Sequence, residues 1–258
     1  MVHAAPDGGL AISILGPLVA TFRGVTVTVD TEYPFGDSLD ITVAGAPAGF
    51  ALYVRVPGWA AAANVSLNGG GAAPMANGTM HRVLLAGAAG GDAVRVELNP
   101  SIYVDSVGVG WNGAVAVHRG ALTFGLRLGE RVTVTGAHAC PAPGHPQVAD
   151  FTVNSTTPWN VALVLDPARG DLTPFLRFVR AGGVNMSQPF DHAAPPLRIE
   201  AMARQVAAWG LEHGSAAAPP ASPGACAAEG ACGAPFAVTL VPYGMQHLRM
   251  SVLPWTLS

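Results

Sequence analysis

The stretch Val25-Thr26-Val27-Thr28-Val29-Asp30 alternates strictly between apolar and polar residues. Successive side chains of a β-strand point to opposite faces of a sheet, so this alternation is typical of a strand with one buried face. A similar pattern occurs at residues 39–43, and a further apolar run at residues 50–56 ends before Gly58. These runs predict strands that cover a core from one side.

Turn residues separate these runs about every ten residues, a spacing that favours a β-sandwich over alternating strands and helices. Asn68-Gly69 favours a hairpin because both residues tolerate positive φ. The spacing changes near residues 100–110. We therefore predict an all-β fold of two consecutive antiparallel β-sandwich modules, one at residues 1–108 and the other at residues 109–258.

Two stretches of the second module are less clear. Ile199, Met202, Val206 and Trp209 recur at helical spacing, and this periodicity alone predicts a helix. Residues 213–235 are rich in Gly, Ala, Pro and Ser, which predicts a disordered-like surface loop.

Composition and charge exclude some classes of function. The chain of 258 residues has a net charge of −3 and no basic stripe, which argues against nucleic-acid binding. No apolar run reaches about 18 residues, so we expect no membrane span. Residues 1–18 lack a basic leader, so they do not resemble a signal peptide.

Four asparagines precede Ser or Thr with one intervening residue that is not proline, and they are Asn64, Asn77, Asn154 and Asn185. Such sequons indicate a glycosylated protein of the secretory pathway or the extracellular space. Coincidence in loops rich in Asn, Gly, Ser and Thr explains them equally well, so localisation stays open.

The three cysteines raise two alternatives. Cys226 and Cys232 are close enough in sequence to form a disulfide within one loop. Together with His138, Cys140 and His145 they could instead contribute to a zinc site, because thiolate and imidazole suit zinc. The spacing matches no standard zinc finger. We therefore predict no metal site.

Carboxylates cluster around the second predicted strand. Glycoside hydrolysis usually needs two carboxylates across the scissile bond, and Asp30, Glu32, Asp37 and Asp40 are the nearest candidates. A structural role is favoured, with Asp37 tightening the turn before the strand that begins at Leu39. We predict no catalytic residue in this chain.

The five tryptophans are mostly expected in the core. Trp59 follows Pro57-Gly58 at the end of a predicted strand, so it is the best candidate for an exposed carbohydrate contact.

Several motifs occur in the order found in glycoside hydrolase family 127, the β-L-arabinofuranosidase-like proteins, and together resemble the C-terminal part of that family. The motifs are Tyr33-Pro34-Phe35-Gly36-Asp37-Ser38, Leu52-Tyr53-Val54-Arg55-Val56-Pro57-Gly58-Trp59, Val65-Ser66-Leu67-Asn68-Gly69, Gly91-Asp92, Val115-Ala116-Val117-His118-Arg119-Gly120-Ala121-Leu122, Thr157-Pro158-Trp159-Asn160-Val161-Ala162-Leu163, Val241-Pro242-Tyr243-Gly244 and Leu248-Arg249-Met250.

The resemblance implies that catalysis belongs to an (α/α)₆ barrel, with a zinc-bound cysteine nucleophile, that precedes the β-sandwich modules. The matched region lies after that barrel. Cys140, Cys226 and Cys232 do not match the family's ligand motifs. The resemblance thus implies a truncated, non-catalytic accessory portion that has no cofactor and needs a helical barrel as its partner. It also implies a strand, not a helix, leading to Trp209.

The residues leave two other functions open. A free-standing carbohydrate-binding or structural β-sandwich module would present an exposed aromatic platform to glycans. A self-sufficient hydrolase that uses the sandwich carboxylates is less favoured.

Overall fold

The computed structural model describes residues 1–106, 110–138 and 148–257, and these residues form an all-β structure. The predicted fold class is therefore confirmed. The chain divides into two compact units. Unit 1 comprises Met1–Ser101 with Arg119–Leu122 and Val184–Ser187, and unit 2 comprises Ile102–His118, Thr123–Gly183 and Gln188–Ser258. The predicted boundary at residue 108 lies outside the described residues.

Ten strands of unit 1 form two sheets, with strand orders β1-β2-β6-β9 and β3-β4-β5-β10-β7-β8. Only β2 and β6 pair in parallel among these strands as described. The strands are β1 Val2–Ala4, β2 Leu10–Ile12, β3 Leu18–Phe22, β4 Val25–Asp30, β5 Ser38–Ala44, β6 Ala51–Arg55, β7 Asn64–Leu67, β8 Ala73–Pro74, β9 Met80–Leu84 and β10 Asp92–Glu97.

The alternation seen in the sequence creates the core of unit 1. In β4, Val25, Val27 and Val29 are buried while the threonines between them are partly exposed. Leu52 and Val54 of β6, in the other sheet, belong to the same buried cluster. Burial of each such side chain contributes roughly 1.5–3 kcal/mol, so unit 1 is a β-sandwich stabilised by both sheets.

Unit 2 is built on one nine-stranded sheet with the main order β11-β12-β13-β21-β18-β16-β23; β17 pairs with β18 and β22 with β12. Strands β14 and β15 form a separate ribbon, as do β19 and β20. The strands are β11 Ile102–Ser106, β12 Val115–Arg119, β13 Leu122–Leu126, β14 Glu130–His138, β15 Val148–Ser155, β16 Val161–Val164, β17 Leu176–Arg180, β18 Leu197–Gln205, β19 Leu211–Glu212, β20 Ser215–Ala216, β21 Phe236–Pro242, β22 Val252–Leu253 and β23 Trp255–Thr256.

Most of the segment with helical periodicity is strand β18, which ends at Gln205, before Val206 and Trp209. The helix predicted from periodicity is wrong, and the strand implied by the family resemblance is correct. Ile199, Ala201 and Ala203 are buried on one face, whereas Met202 is exposed on the other. Pairing with both β16 and β21 satisfies the backbone of this central strand, which outweighs its local helix propensity.

The segment at residues 213–235 contains more local structure than its composition predicted. Cys226 and Cys232 form a disulfide, and Gly224–Cys226 is a 3-10 turn. Asn112 Nδ2 donates a hydrogen bond to the carbonyl oxygen of Pro219 at 2.7 Å. Side chains distant in sequence therefore hold this segment against the rest of unit 2.

Candidate functional site

Of the four carboxylates considered for glycosidase chemistry, Asp37 and Asp40 are paired with arginines. Asp37 accepts two hydrogen bonds from the Arg119 guanidinium, at 2.9 and 2.8 Å, rather than capping a local turn. Asp40 is exposed and pairs with Arg95. Asp30 lies directly opposite Asp40 in the β4–β5 register, on neighbouring strands of one sheet.

Asp92 is the most deeply buried carboxylate among the described residues, with 1% of its surface exposed. It accepts hydrogen bonds from Asn68 Nδ2 at 2.8 Å, Ala86 N at 3.2 Å and Gly87 N at 2.9 Å. The Asn68 hydrogen bond is the largest influence on the pKa of Asp92 and lowers it; the backbone donors add to this, against the opposing effect of burial. Asp92 thus joins two turns of unit 1.

A carboxylate, an imidazole and a hydroxyl meet on β11, β12 and β13. His118 Nδ1 lies 3.1 Å from Thr123 Oγ1, and His118 Nε2 lies 3.6 Å from Asp105 Oδ2. Burial lowers the pKa of His118, and the Asp105 charge opposes this effect. The 3.6 Å distance is too long for the hydrogen bond that orients a catalytic imidazole. These residues do not form a nucleophile triad in this geometry.

A second polar cluster joins strand β14 to the segment before β22. Glu130 accepts hydrogen bonds from His247 Nδ1 at 2.6 Å and from the backbone nitrogens of His247 and Leu248 at 3.1 and 2.9 Å. Burial alone would raise the pKa of Glu130, but these hydrogen bonds and the imidazole charge lower it overall. The His192 and His247 rings meet edge to face, with centroids 4.2 Å apart. The cluster ties two segments together.

The zinc alternative is not built from the described side chains. Cys226 and Cys232 are joined in a disulfide and so provide no thiolate. Cys140 and His145, and the side chain of His138, lie outside the described residues. Within the part of the chain that is described, no three His, Cys, Asp or Glu side chains are placed to share a metal ion. No helix in that part is long and apolar enough to cross a membrane.

Trp59 is half-buried and packs against the core of unit 1. A Cβ atom added to Gly120 would lie 3.5 Å from the Trp59 ring and 3.2 Å from Pro100, so the Trp59 ring is closely covered on that side. The predicted carbohydrate contact at Trp59 stays a prediction, with part of the ring engaged in packing.

Three other tryptophans line a cleft within unit 2 that no sequence pattern predicted. Trp111, Trp159 and Trp209 line it together with Leu211 and residues 153–155, 214–217 and 248–252, and its volume is about 630 Å³. Trp111 lies in a turn and is 44% exposed, whereas Trp209 is 5% exposed. The three residues are about 50 positions apart in sequence, so only the tertiary fold brings them together.

One wall of this cleft is formed by the segment whose composition predicted a loop. Trp209 Nε1 donates a hydrogen bond to the carbonyl oxygen of Ala217 at 2.9 Å, which positions the segment that forms one wall. Gly, Ala and Pro in that segment suggested a loop, but they gave no indication that the loop borders an aromatic cleft.

Comparison with known proteins finds similarity to glycoside hydrolases. Residues 14–99, about a third of the chain, match the family model described as β-L-arabinofuranosidase, GH127 middle domain. A search of curated proteins finds no match. The chain is similar to proteins of glycoside hydrolase family 127.

Three solved structures share the fold. A GH127 β-L-arabinofuranosidase from Geobacillus stearothermophilus T6 is 17% identical, with a TM-score of 0.58, and the match covers 99% of this chain and 34% of that enzyme. A protein described as a glycoside hydrolase is 15% identical, with a TM-score of 0.54, at 99% and 37% coverage. A GH127 β-arabinofuranosidase is 14% identical, with a TM-score of 0.57, at 96% and 35% coverage.

These likenesses refine the family resemblance found in the sequence. The chain spans about a third of the length of the solved structures that it matches. The matching family model is that of a middle domain, so correspondence to the family's C-terminal part alone is not confirmed.

Proposed function

We propose that this chain is the non-catalytic β-sandwich portion of a glycoside hydrolase family 127-like protein, and that it supports a helical catalytic barrel. The main support is the pattern of coverage: nearly all of this chain matches about a third of each longer enzyme. The match of residues 14–99 to a middle domain supports the same role for unit 1. In this proposal, zinc and the nucleophile belong to the barrel.

An exposed apolar face on the β14–β15 ribbon supports the need for a partner. Val134 lies opposite Phe151 in the register, and they are 68% and 55% exposed. Val132 is on the same face and is 53% exposed. Clustered exposed apolar side chains mark interaction surfaces in soluble proteins. We assign this face of the ribbon to the barrel; Thr133 and Thr152 lie on the other face.

The ribbon assignment is tested by co-expressing this chain with the helical region that we expect in the same coding sequence. Substitution of Val134 and Phe151 by serine removes apolar area from the interface, so co-purification should fall at least about tenfold. The matched control is the pair Thr133→Ala and Thr152→Ala on the other face, which should retain binding. Equal binding by both double variants would remove the ribbon from the interface.

The non-catalytic role is tested by assaying the purified chain with p-nitrophenyl β-L-arabinofuranoside, with and without added Zn²⁺. We expect no turnover in either condition. Turnover without zinc that is abolished by Asp37→Asn or Asp40→Asn would instead support a self-sufficient hydrolase that uses sandwich carboxylates.

A free-standing carbohydrate-binding module is the second candidate, because the tryptophan cleft of unit 2 offers an aromatic surface. This function requires no barrel. It therefore predicts that the ribbon variants leave carbohydrate binding by the native protein unchanged.

A further inference from the structure

The tryptophan cleft of unit 2 has the dimensions of a ligand site. Its volume of about 630 Å³ falls within the range of roughly 300–1,000 Å³ that is usual for small-molecule sites. All the residues that line it belong to unit 2. The cleft is therefore a property of one compact unit.

The aromatic surface in the cleft is held in place before any ligand arrives. The Trp159 and Trp209 rings meet edge to face, with centroids 5.2 Å apart. Trp209 is buried, and its indole nitrogen donates a hydrogen bond to the carbonyl oxygen of Ala217, so the ring cannot turn freely. Trp159 is fixed against it and remains partly exposed. A rigid aromatic face lowers the entropic cost of binding.

The charge of the lining points to a neutral ligand. Among the described residues, Arg249 is the one charged side chain that lines the cleft, and no carboxylate does. The Arg249 guanidinium lies over the Tyr243 ring at 5.1 Å, and its Nε donates to the carbonyl oxygen of Gln246 at 3.1 Å. The Arg249 guanidinium thus already has partners within the protein.

The remaining polar groups suit a ligand rich in hydroxyls. Asn154, Ser215 and Ser251 line the cleft, and their side chains form no hydrogen bond with another residue in the described part of the chain. Carboxamide and hydroxyl groups can each donate and accept hydrogen bonds. A ligand with one apolar face and several hydroxyl groups would use both the indole rings and these side chains.

We propose that this cleft binds a neutral saccharide, with an apolar C–H face of a sugar ring against Trp111 or Trp159 and sugar hydroxyls toward Asn154 and Ser251. The site is distinct from Trp59, which lies in unit 1. The inference does not depend on the barrel-supporting role, since the cleft is complete within unit 2.

The experiment is calorimetric titration of the full, disulfide-intact chain with arabinotriose and xylotriose, and with triglucuronic acid as a charged comparison. Trp111→Ala is the main variant, because Trp111 is 44% exposed and its removal leaves little internal cavity. We expect it to weaken neutral-saccharide binding about tenfold or more. Trp59→Ala is the matched control, with unchanged affinity expected once circular dichroism shows that it is folded.

Two further variants separate aromatic from polar contacts. Ser251→Ala should weaken binding by about fivefold, as expected for one lost hydrogen bond. Trp159→Phe retains an aromatic ring and should lose less affinity than Trp159→Ala.

Three results would overturn the proposal. They are absence of binding by both neutral saccharides at about 10 mM (roughly the weakest affinity of interest), equal affinity of Trp111→Ala and the unsubstituted chain, and binding of triglucuronic acid at least as tight as that of both neutral saccharides. None of these results bears on whether the chain supports a barrel, so the two proposals fail separately.

Discussion

Replacing Asp92 should destabilise unit 1 more than replacing any exposed carboxylate. The carboxylate is 1% exposed and accepts three hydrogen bonds. Asp92→Asn keeps one acceptor oxygen but places an NH₂ group against the Gly87 N–H. The charge-assisted hydrogen bond from Gly87 is lost, and the new NH₂ group is a buried donor without an acceptor there. Hydrogen bonds to charged groups contribute about 1.5–3 kcal/mol, so we expect a loss of about 2–3 kcal/mol.

Asp92→Ala removes all three hydrogen bonds and creates a small cavity, so the expected loss rises to about 3–4 kcal/mol. This is a large part of the roughly 5–15 kcal/mol usual for a domain. The assay is urea unfolding at pH 7, followed by circular dichroism and tryptophan fluorescence. Asp40→Asn is the control, because its pair with Arg95 is exposed on both sides and should contribute little to stability.

The effect of Asp92→Asn should also depend on pH. The pKa of Asp92 is lowered in the folded state, so the carboxylate contributes stability above its unfolded pKa of about 3.9 and loses that contribution as the pH falls through its folded pKa. The difference in unfolding free energy between the unsubstituted chain and the Asp92→Asn variant should therefore shrink below about pH 4. A difference below about 0.5 kcal/mol at pH 7 would refute the structural role of this carboxylate.

Three further variants test other contacts. Arg119→Met should cost about 1–2 kcal/mol, because it leaves the Asp37 carboxylate without its paired guanidinium. A double-mutant cycle with Asp37→Asn should return a coupling energy of about 1 kcal/mol, and zero coupling would contradict the contact. Glu130→Gln should cost about 1–2 kcal/mol at pH 7 in thermal unfolding. The cost should fall as the pH falls toward about 4, since the pKa of Glu130 is lowered in the folded state and only the ionised carboxylate stabilises the fold. Replacing Cys226 and Cys232 by serine opens a short loop and should cost about 2 kcal/mol, and an unchanged melting temperature would argue against the disulfide.

Strands β4 and β5 of unit 1 were predictable because each carries its own signal. β4 and β5 alternate apolar and polar residues, and the structure buries the apolar set of each. Asn68 and Gly69 adopt positive φ as their residue types suggested, with values of 50° and 72°. Local sequence is sufficient here because the period of two matches the environment of a sheet with one buried face.

The features of unit 2 were harder to predict because they depend on contacts between distant residues. In β18, alanines occupy buried positions, so the alternation is weak and the larger residues mimic a helix. The pairing that decides the strand comes from β16 and β21. The family resemblance supplied this information, whereas periodicity did not.

The candidate site shows the same limit. Trp59 was singled out by its position after Pro57-Gly58, a local signal. Trp111, Trp159 and Trp209 line a common cleft only because the chain returns to the same region three times. Their spacing in sequence carries no periodicity, so no pattern along the chain could have grouped them.

The mass of the native protein tests the central proposal most directly. An antibody raised against this chain, applied to extracts of the source cells, would report that mass on a denaturing gel. If the chain is the sandwich portion of a glycoside hydrolase family 127-like protein, the antibody should detect a species roughly three times the 26.2 kDa of this chain, because the chain covers about a third of the enzymes that it matches. A single species near 26.2 kDa, after removal of any glycans, would contradict the proposal.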